Sequence, residues 1–114
     1  MFKLRLFTFL VLLTSFFQSY ACQNALPTNH PGFCASFQIA ASCYCQQTGL
    51  PKGMCQDMKQ ILNRMVAAYG SLQSACANQR HTPAQDCVDS WNCYINGGRD
   101  SKNQLCSGDG RRCV

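Results

Sequence analysis

Ten cysteines lie between Cys22 and Cys113, and none precedes Cys22. They make up more than a tenth of the 93 residues that remain once the first 21 of 114 are set aside, a density that reads as a disulfide scaffold in an exported chain. A chain of that length buries only a thin core, so covalent links must supply what packing does not. The compartment decides between thiol and cystine. The chain opens with Lys3 and Arg5, runs apolar from Leu6 to Phe17, and places Ser19 and Ala21 at the −3 and −1 positions of a cleavage site. That run falls short of the roughly 20 residues a membrane span needs and is interrupted by Thr8, Thr14 and Ser15. Residues 1–21 therefore read as a signal peptide and 22–114 as a single cysteine-rich domain. All ten cysteines (Cys22, Cys34, Cys43, Cys45, Cys55, Cys76, Cys87, Cys93, Cys106 and Cys113) survive the cut and are expected to form five disulfides. The expected location is extracellular, or periplasmic in a Gram-negative source. A lipidated Cys22 is the alternative, opposed by Ser19 where such a site favours Leu and by the odd thiol it would strand.

Charge excludes one class of partner. Lys3 and Arg5 leave with the leader, and the eight basic residues left face five Asp and no Glu, a net charge of about +3. Only Arg111 and Arg112 are adjacent. A nucleic-acid groove needs clustered cations with interleaved aromatics, so none is expected.

The longest periodic stretch runs from Pro51 to Asn78. At 100° per residue Met54, Met58, Ile61, Leu62, Met65, Val66, Ala68, Tyr69, Leu72 and Cys76 share an arc of about 160°. Gln56, Asp57, Lys59, Gln60, Asn63, Arg64, Ser71 and Ser74 fill the opposite, solvated side. Unbroken, such a helix would be about 39 Å long, more than the roughly 32 Å diameter of a domain this size, and Gly70 is the place to bend. A shorter helix is expected over 33–47, with Phe33, Phe37, Ala40, Ala41 and Tyr44 on one face and Gly49 as its stop. A third over 83–96 carries three start signals, Thr82 at the cap, Pro83 at the first turn and Gln85, with Gly97 as its end. Its apolar arc is Ala84, Cys87, Val88, Trp91, Tyr94 and Ile95, with Cys93 on the other side. The fold class is all-α: three helices, an irregular N-terminal arm (22–32) and a polar C-terminal tail (99–114) tethered by disulfides.

Helix geometry also constrains pairing. If the first two helices turn about Gly49–Pro51, facing residue numbers sum to about 100, which sets Cys45 against Cys55. If the next turn falls near Arg80, the sum is about 161 and Cys76 meets Cys87. Cys43 lies roughly 160° from Cys45 on its helix, so it and Cys93 should reach the arm at Cys22 or the tail at Cys106 and Cys113, with Cys34 taking another of those ends.

Chemistry is sparse. Ser42-Cys43-Tyr44-Cys45 followed by Gly49 resembles the Cys-Tyr-Cys-Gly calcium loop of small secreted phospholipases A2 over about four residues. That resemblance implies calcium and a histidine that activates water, yet the helix after Cys45, CQDMKQILNRM, has no His. His30 and His81 each adjoin loop signals and suit turn or cap roles. No catalytic, metal or cofactor site is expected. Asp109, Arg111 and Arg112 would form a recognition loop if Cys106 and Cys113 close on each other; otherwise they lie on a solvated tail whose cysteines bond elsewhere. Met54, Met58 and Met65 suit the core more than an adaptable groove.

The expected function is non-enzymatic: a monomeric exported binding factor, effector or toxin-like, with a protein partner. Membrane activity is the second reading and a small hydrolase the third. N-terminal sequencing of exported protein is expected to begin Cys-Gln-Asn, and a start at or before Tyr20 would refute cleavage after Ala21.

Overall fold

The computed structural model describes residues 21–114. Of the leader expected over residues 1–21, residues 1–20 lie outside them. Four α-helices and two short 3₁₀ turns follow one another, and among the described residues the only β-type pairing is an isolated bridge, Arg99 to Leu105.

Helix α1 (Phe33–Gln47) has the bounds its sequence signals give. Thr48 ends it, its hydroxyl donating to the Cys45 carbonyl at 2.7 Å, and Gly49 takes a positive φ of 95°. Phe33, Phe37, Ala40 and Ala41 are buried on one face.

The stretch 51–78 is three elements rather than the one long helix expected. A 3₁₀ turn, Lys52–Cys55, comes first; α2 (Met58–Tyr69) and α3 (Leu72–Asn78) follow. The reason is local capping. The Asp57 carboxylate accepts the amides of Lys59 and Gln60 at 3.0 and 3.2 Å, starting α2 afresh. Gly70, at φ 85°, donates its N–H to the Val66 carbonyl at 2.7 Å and ends it. Ser71 then caps α3 by accepting the Ser74 amide at 3.0 Å. The expected apolar face is split accordingly. Met58, Ile61 and Cys76 are buried, whereas Met54 is 40% exposed and Tyr69 51%.

Helix α4 (Ala84–Asn96) starts one residue later than its signals suggest, with Pro83 at the cap position. Thr82 does not cap it. Its hydroxyl and amide both donate to Gln79 Oε1, at 3.2 and 3.1 Å, so that Gln79 organises the α3–α4 turn instead. Trp91 of α4 meets Phe37 of α1 edge-on, centroids 4.9 Å apart, and Phe37 stacks on Phe33 at 5.3 Å. Phe37 against Trp91 and Tyr44 against His81 show that α1 and α4 run antiparallel.

Five disulfides cross-link these elements. Cys45 bonds Cys55 and Cys76 bonds Cys87, the two pairs that the facing sums place together. Cys43 takes Cys22 of the arm, Cys93 takes Cys106 of the tail, and Cys34 takes Cys113. No cysteine is left free. Each hairpin bond closes a short loop, for which chain entropy gives about 3 kcal/mol as an upper figure.

The tail folds back on α4 and the arm. Asp89, buried in α4, accepts the Ser101 hydroxyl at 2.6 Å, the Ser101 amide at 3.2 Å and the Gln85 amide nitrogen at 3.1 Å. Asp100 accepts the amides of Lys102 and Gln104 at 2.9 Å each, and the Thr28 hydroxyl of the arm at 2.8 Å. Burial pushes the Asp100 carboxyl up, but those donors and the Lys102 charge outweigh it and hold the group below its ordinary value. Gly97 lies directly beneath the returning strand of tail. Its φ of 67° and ψ of −155° suit glycine alone, and a Cβ there would stand 2.6 Å from the Arg112 amide nitrogen.

Gly97→Ala is therefore expected to lower the stability of the oxidised protein by about 3 kcal/mol in denaturant unfolding. Gly53→Ala, where an added Cβ meets nothing within 4 Å, should stay within about 0.5 kcal/mol of the parent. Equal effects would show that the tail does not close over Gly97 in solution.

Candidate functional site

The residues singled out for recognition do not assemble into a closed loop. Cys106 and Cys113 bond to Cys93 and Cys34, so the tail between them is not a ring. Within it the Asp109 carboxylate accepts the Arg111 amide at 3.0 Å and faces its guanidinium at 3.8 Å. Arg111 also donates to the Pro31 carbonyl at 3.0 Å. Asp109 and Arg111 thus fasten the tail to the arm, while Arg112 is exposed beside them. His30 shapes a turn: its Nδ1 accepts the Gly32 amide at 2.9 Å. The Cys43-Tyr44-Cys45 segment lies inside α1, where its carbonyls belong to helical hydrogen bonding rather than to a calcium loop. Among the described residues no group of three or more His, Cys, Asp or Glu is placed to hold a metal ion.

An apolar concavity lies elsewhere. A cavity of about 700 Å³ opens between the arm, α1, α2 and α4, within the ~300–1,000 Å³ range of small-molecule sites. Helix α1 contributes Phe37, Ala40, Ala41 and Tyr44 to its wall. From α2 come Ile61, Arg64, Met65 and Ala68, one stripe at i, i+3, i+4 and i+7. Leu26 of the arm, Leu50 and Trp91 of α4 also line it. Ala40, Ala41 and Ala68 each contribute only a methyl group to this wall, which leaves space where larger side chains from two helices would interdigitate.

Of the methionines expected in the core, Met58 is buried there, Met65 lines this cavity and Met54 is on the surface.

Tyr44 and His81 stand at the edge of the cavity, their rings stacked 3.6 Å apart at 13°. This contact joins the end of α1 to the α3–α4 turn. The Tyr44 hydroxyl lies 3.2 Å from Asn24 Oδ1, so the same side chain also holds the arm. The turn role expected for His81 is carried by its backbone, whose N–H donates to Gln79 Oε1 at 3.1 Å. Partial burial lowers the His81 pKa below its ordinary 6.5.

Charged groups ring the cavity. Asp86 pairs with Lys102 at 3.7 Å. Arg64 donates to the Met54 carbonyl. Sequence reasoning assigned Arg64 and Asp57 alike to a solvated face. Arg64 is half-buried instead, because the break at Gln56–Asp57 turns the Met54 carbonyl back toward α2. No protein-family model, characterised protein or solved structure matches this chain.

The lowered His81 pKa fixes the sign of a pH effect. Between the folded value and 6.5 the unfolded chain binds more protons, so stability falls as pH drops below about 6.5 and levels off below the folded value. An NMR titration of the His81 ring is expected to give a midpoint below 6.5, and Tyr44→Leu should move it upward. A midpoint at or above 6.5 would mean that the stack does not persist in solution.

Proposed function

We propose that this chain is an exported, non-enzymatic binding protein that encloses a small apolar molecule in the cavity between α1, α2, α4 and the arm. The observation that carries this reading is the cavity itself: a domain of 93 residues has little apolar surface to spare, yet Phe37, Ile61, Met65 and Trp91 line a space of about 700 Å³. An occupant of that size is a small molecule, so this proposal departs from the protein partner expected from the sequence. Removal of residues 1–21 and delivery to an oxidising compartment belong to the same proposal. Five disulfides fit such a compartment, and no helix among the described residues is long and apolar enough to cross a membrane.

The test is binding of an apolar, environment-sensitive fluorophore to the oxidised protein. The expected result is a saturable emission increase at one probe per chain, accompanied by a change in emission of Trp91, the single tryptophan. Ala68→Trp, which puts a large ring into the cavity, should weaken binding by about ten-fold or more while leaving far-UV dichroism intact. Non-saturable binding, or equal binding by the filled variant, would overturn the proposal. Dye release from anionic vesicles at micromolar protein would favour the membrane-active reading instead.

A further inference from the structure

We infer that the ligand of this cavity is a single-chain amphiphile with one negative charge, a long-chain carboxylate, whose head sits on Arg64. The inference rests on the cavity being a ligand site at all, and it concerns the chemistry of the occupant. Five charged side chains contribute to the lining: Arg64, Lys102, Asp86, Asp89 and Asp100. Four are already engaged. Lys102 and Asp86 face each other at 3.7 Å. Asp89 is occupied by Gln85 and by both donors of Ser101, and Asp100 by two backbone amides and the Thr28 hydroxyl.

Arg64 is different. Among the described residues no carboxylate lies within 4.0 Å of it, and its one hydrogen bond goes to the Met54 carbonyl. That carbonyl adjoins Cys55, which is bonded to Cys45 at the end of α1. The guanidinium is thus held by a covalently braced piece of backbone, with most of its five N–H donors still available. A planar fork fixed in advance suits a carboxylate, which accepts two parallel N–H bonds.

The rest of the stripe describes the tail. Ile61, Met65 and Ala68 lie within one turn of Arg64 on the same face of α2, so a head seated at Arg64 directs its chain along apolar wall shared with Ala40 and Ala41 of α1. Among the described residues Arg64 is the one cation of this lining without a carboxylate partner, so it can compensate a single negative charge; the second charge of a dianion such as a phosphomonoester would be left uncompensated in a lining of two cations and three carboxylates.

Displacement of the apolar fluorophore from the full oxidised chain tests this, using hexadecanoate, methyl hexadecanoate, hexadecylamine and hexadecyl phosphate at submicromolar concentrations near pH 8. Hexadecanoate should displace the probe about ten-fold more tightly than its ester, and more tightly than the amine or the phosphate. Each methylene removed, down to dodecanoate, should weaken binding by up to about four-fold. In Arg64→Gln the acid-to-ester ratio should fall to about one, and Arg64→Lys should restore part of it. The ratio is read within each variant, so a general loss of affinity does not imitate the effect. Equal binding of acid and ester by the parent, a ratio unchanged in Arg64→Gln, or preference for the phosphate would overturn the carboxylate seat and leave the apolar cavity standing. Failure of every chain and of the fluorophore would overturn both.

Discussion

Cystine is the core of this protein. The side chains most completely removed from solvent are Phe33, Cys55, Cys76, Cys93 and Cys106, so four of the five belong to disulfides. In a domain with a larger apolar inventory those positions would hold Leu, Ile or Phe and the helices would be kept together by interdigitation. Here the Cys45–Cys55, Cys76–Cys87 and Cys93–Cys106 bonds join consecutive elements one after another, and packing is concentrated in the small aromatic cluster of Phe33, Phe37, Trp91 and Tyr94. Helices tied in that way need not fill the space between them. The cavity and the disulfide density are two expressions of one arrangement.

Much of this was legible from residue order, and the exceptions are instructive. The bounds of α1 follow from an apolar face ended by a glycine, and the hairpin pairings follow from the antiparallel course of neighbouring helices. In the 51–78 stretch Gly70 marked one of the two breaks; the other, at Gln56–Asp57, was hidden, and because Leu72 and Cys76 keep the phase set by Met54, periodicity alone reports continuity. The signals were nevertheless present. Asp57 precedes Gln60 by three residues and Ser71 precedes Ser74 by three, and both cap their helices; read only as polar residues on a solvated face, they lose that meaning.

The cavity was not legible for a different reason. Periodicity identifies which side of a helix is apolar but not whether another element covers it. Ala40, Ala41 and Ala68 look like ordinary core residues in sequence; only their meeting around one space, with Leu26 of an irregular arm beside them, turns small side chains into a hollow. The role of Arg64 depends on a carbonyl ten residues earlier that no helical continuation would have presented to it.

Helix α1 also carries both the arm and the tail. Cys43 holds Cys22, and Cys34 holds Cys113, so the covalent path from the arm to the tail runs through the ten residues Cys34–Cys43 of one helix rather than through the whole domain. A pulling force applied at the arm and the tail would pass along that path and bypass α2, α3 and α4. Even fully drawn out, the nine steps from Cys34 to Cys43 extend only about 32 Å, against about 330 Å for the uncrosslinked stretch from Cys22 to Val114. The oxidised protein is therefore mechanically short: tension can unwind part of α1, but it cannot unravel the helices beyond it without first breaking a sulfur–sulfur bond.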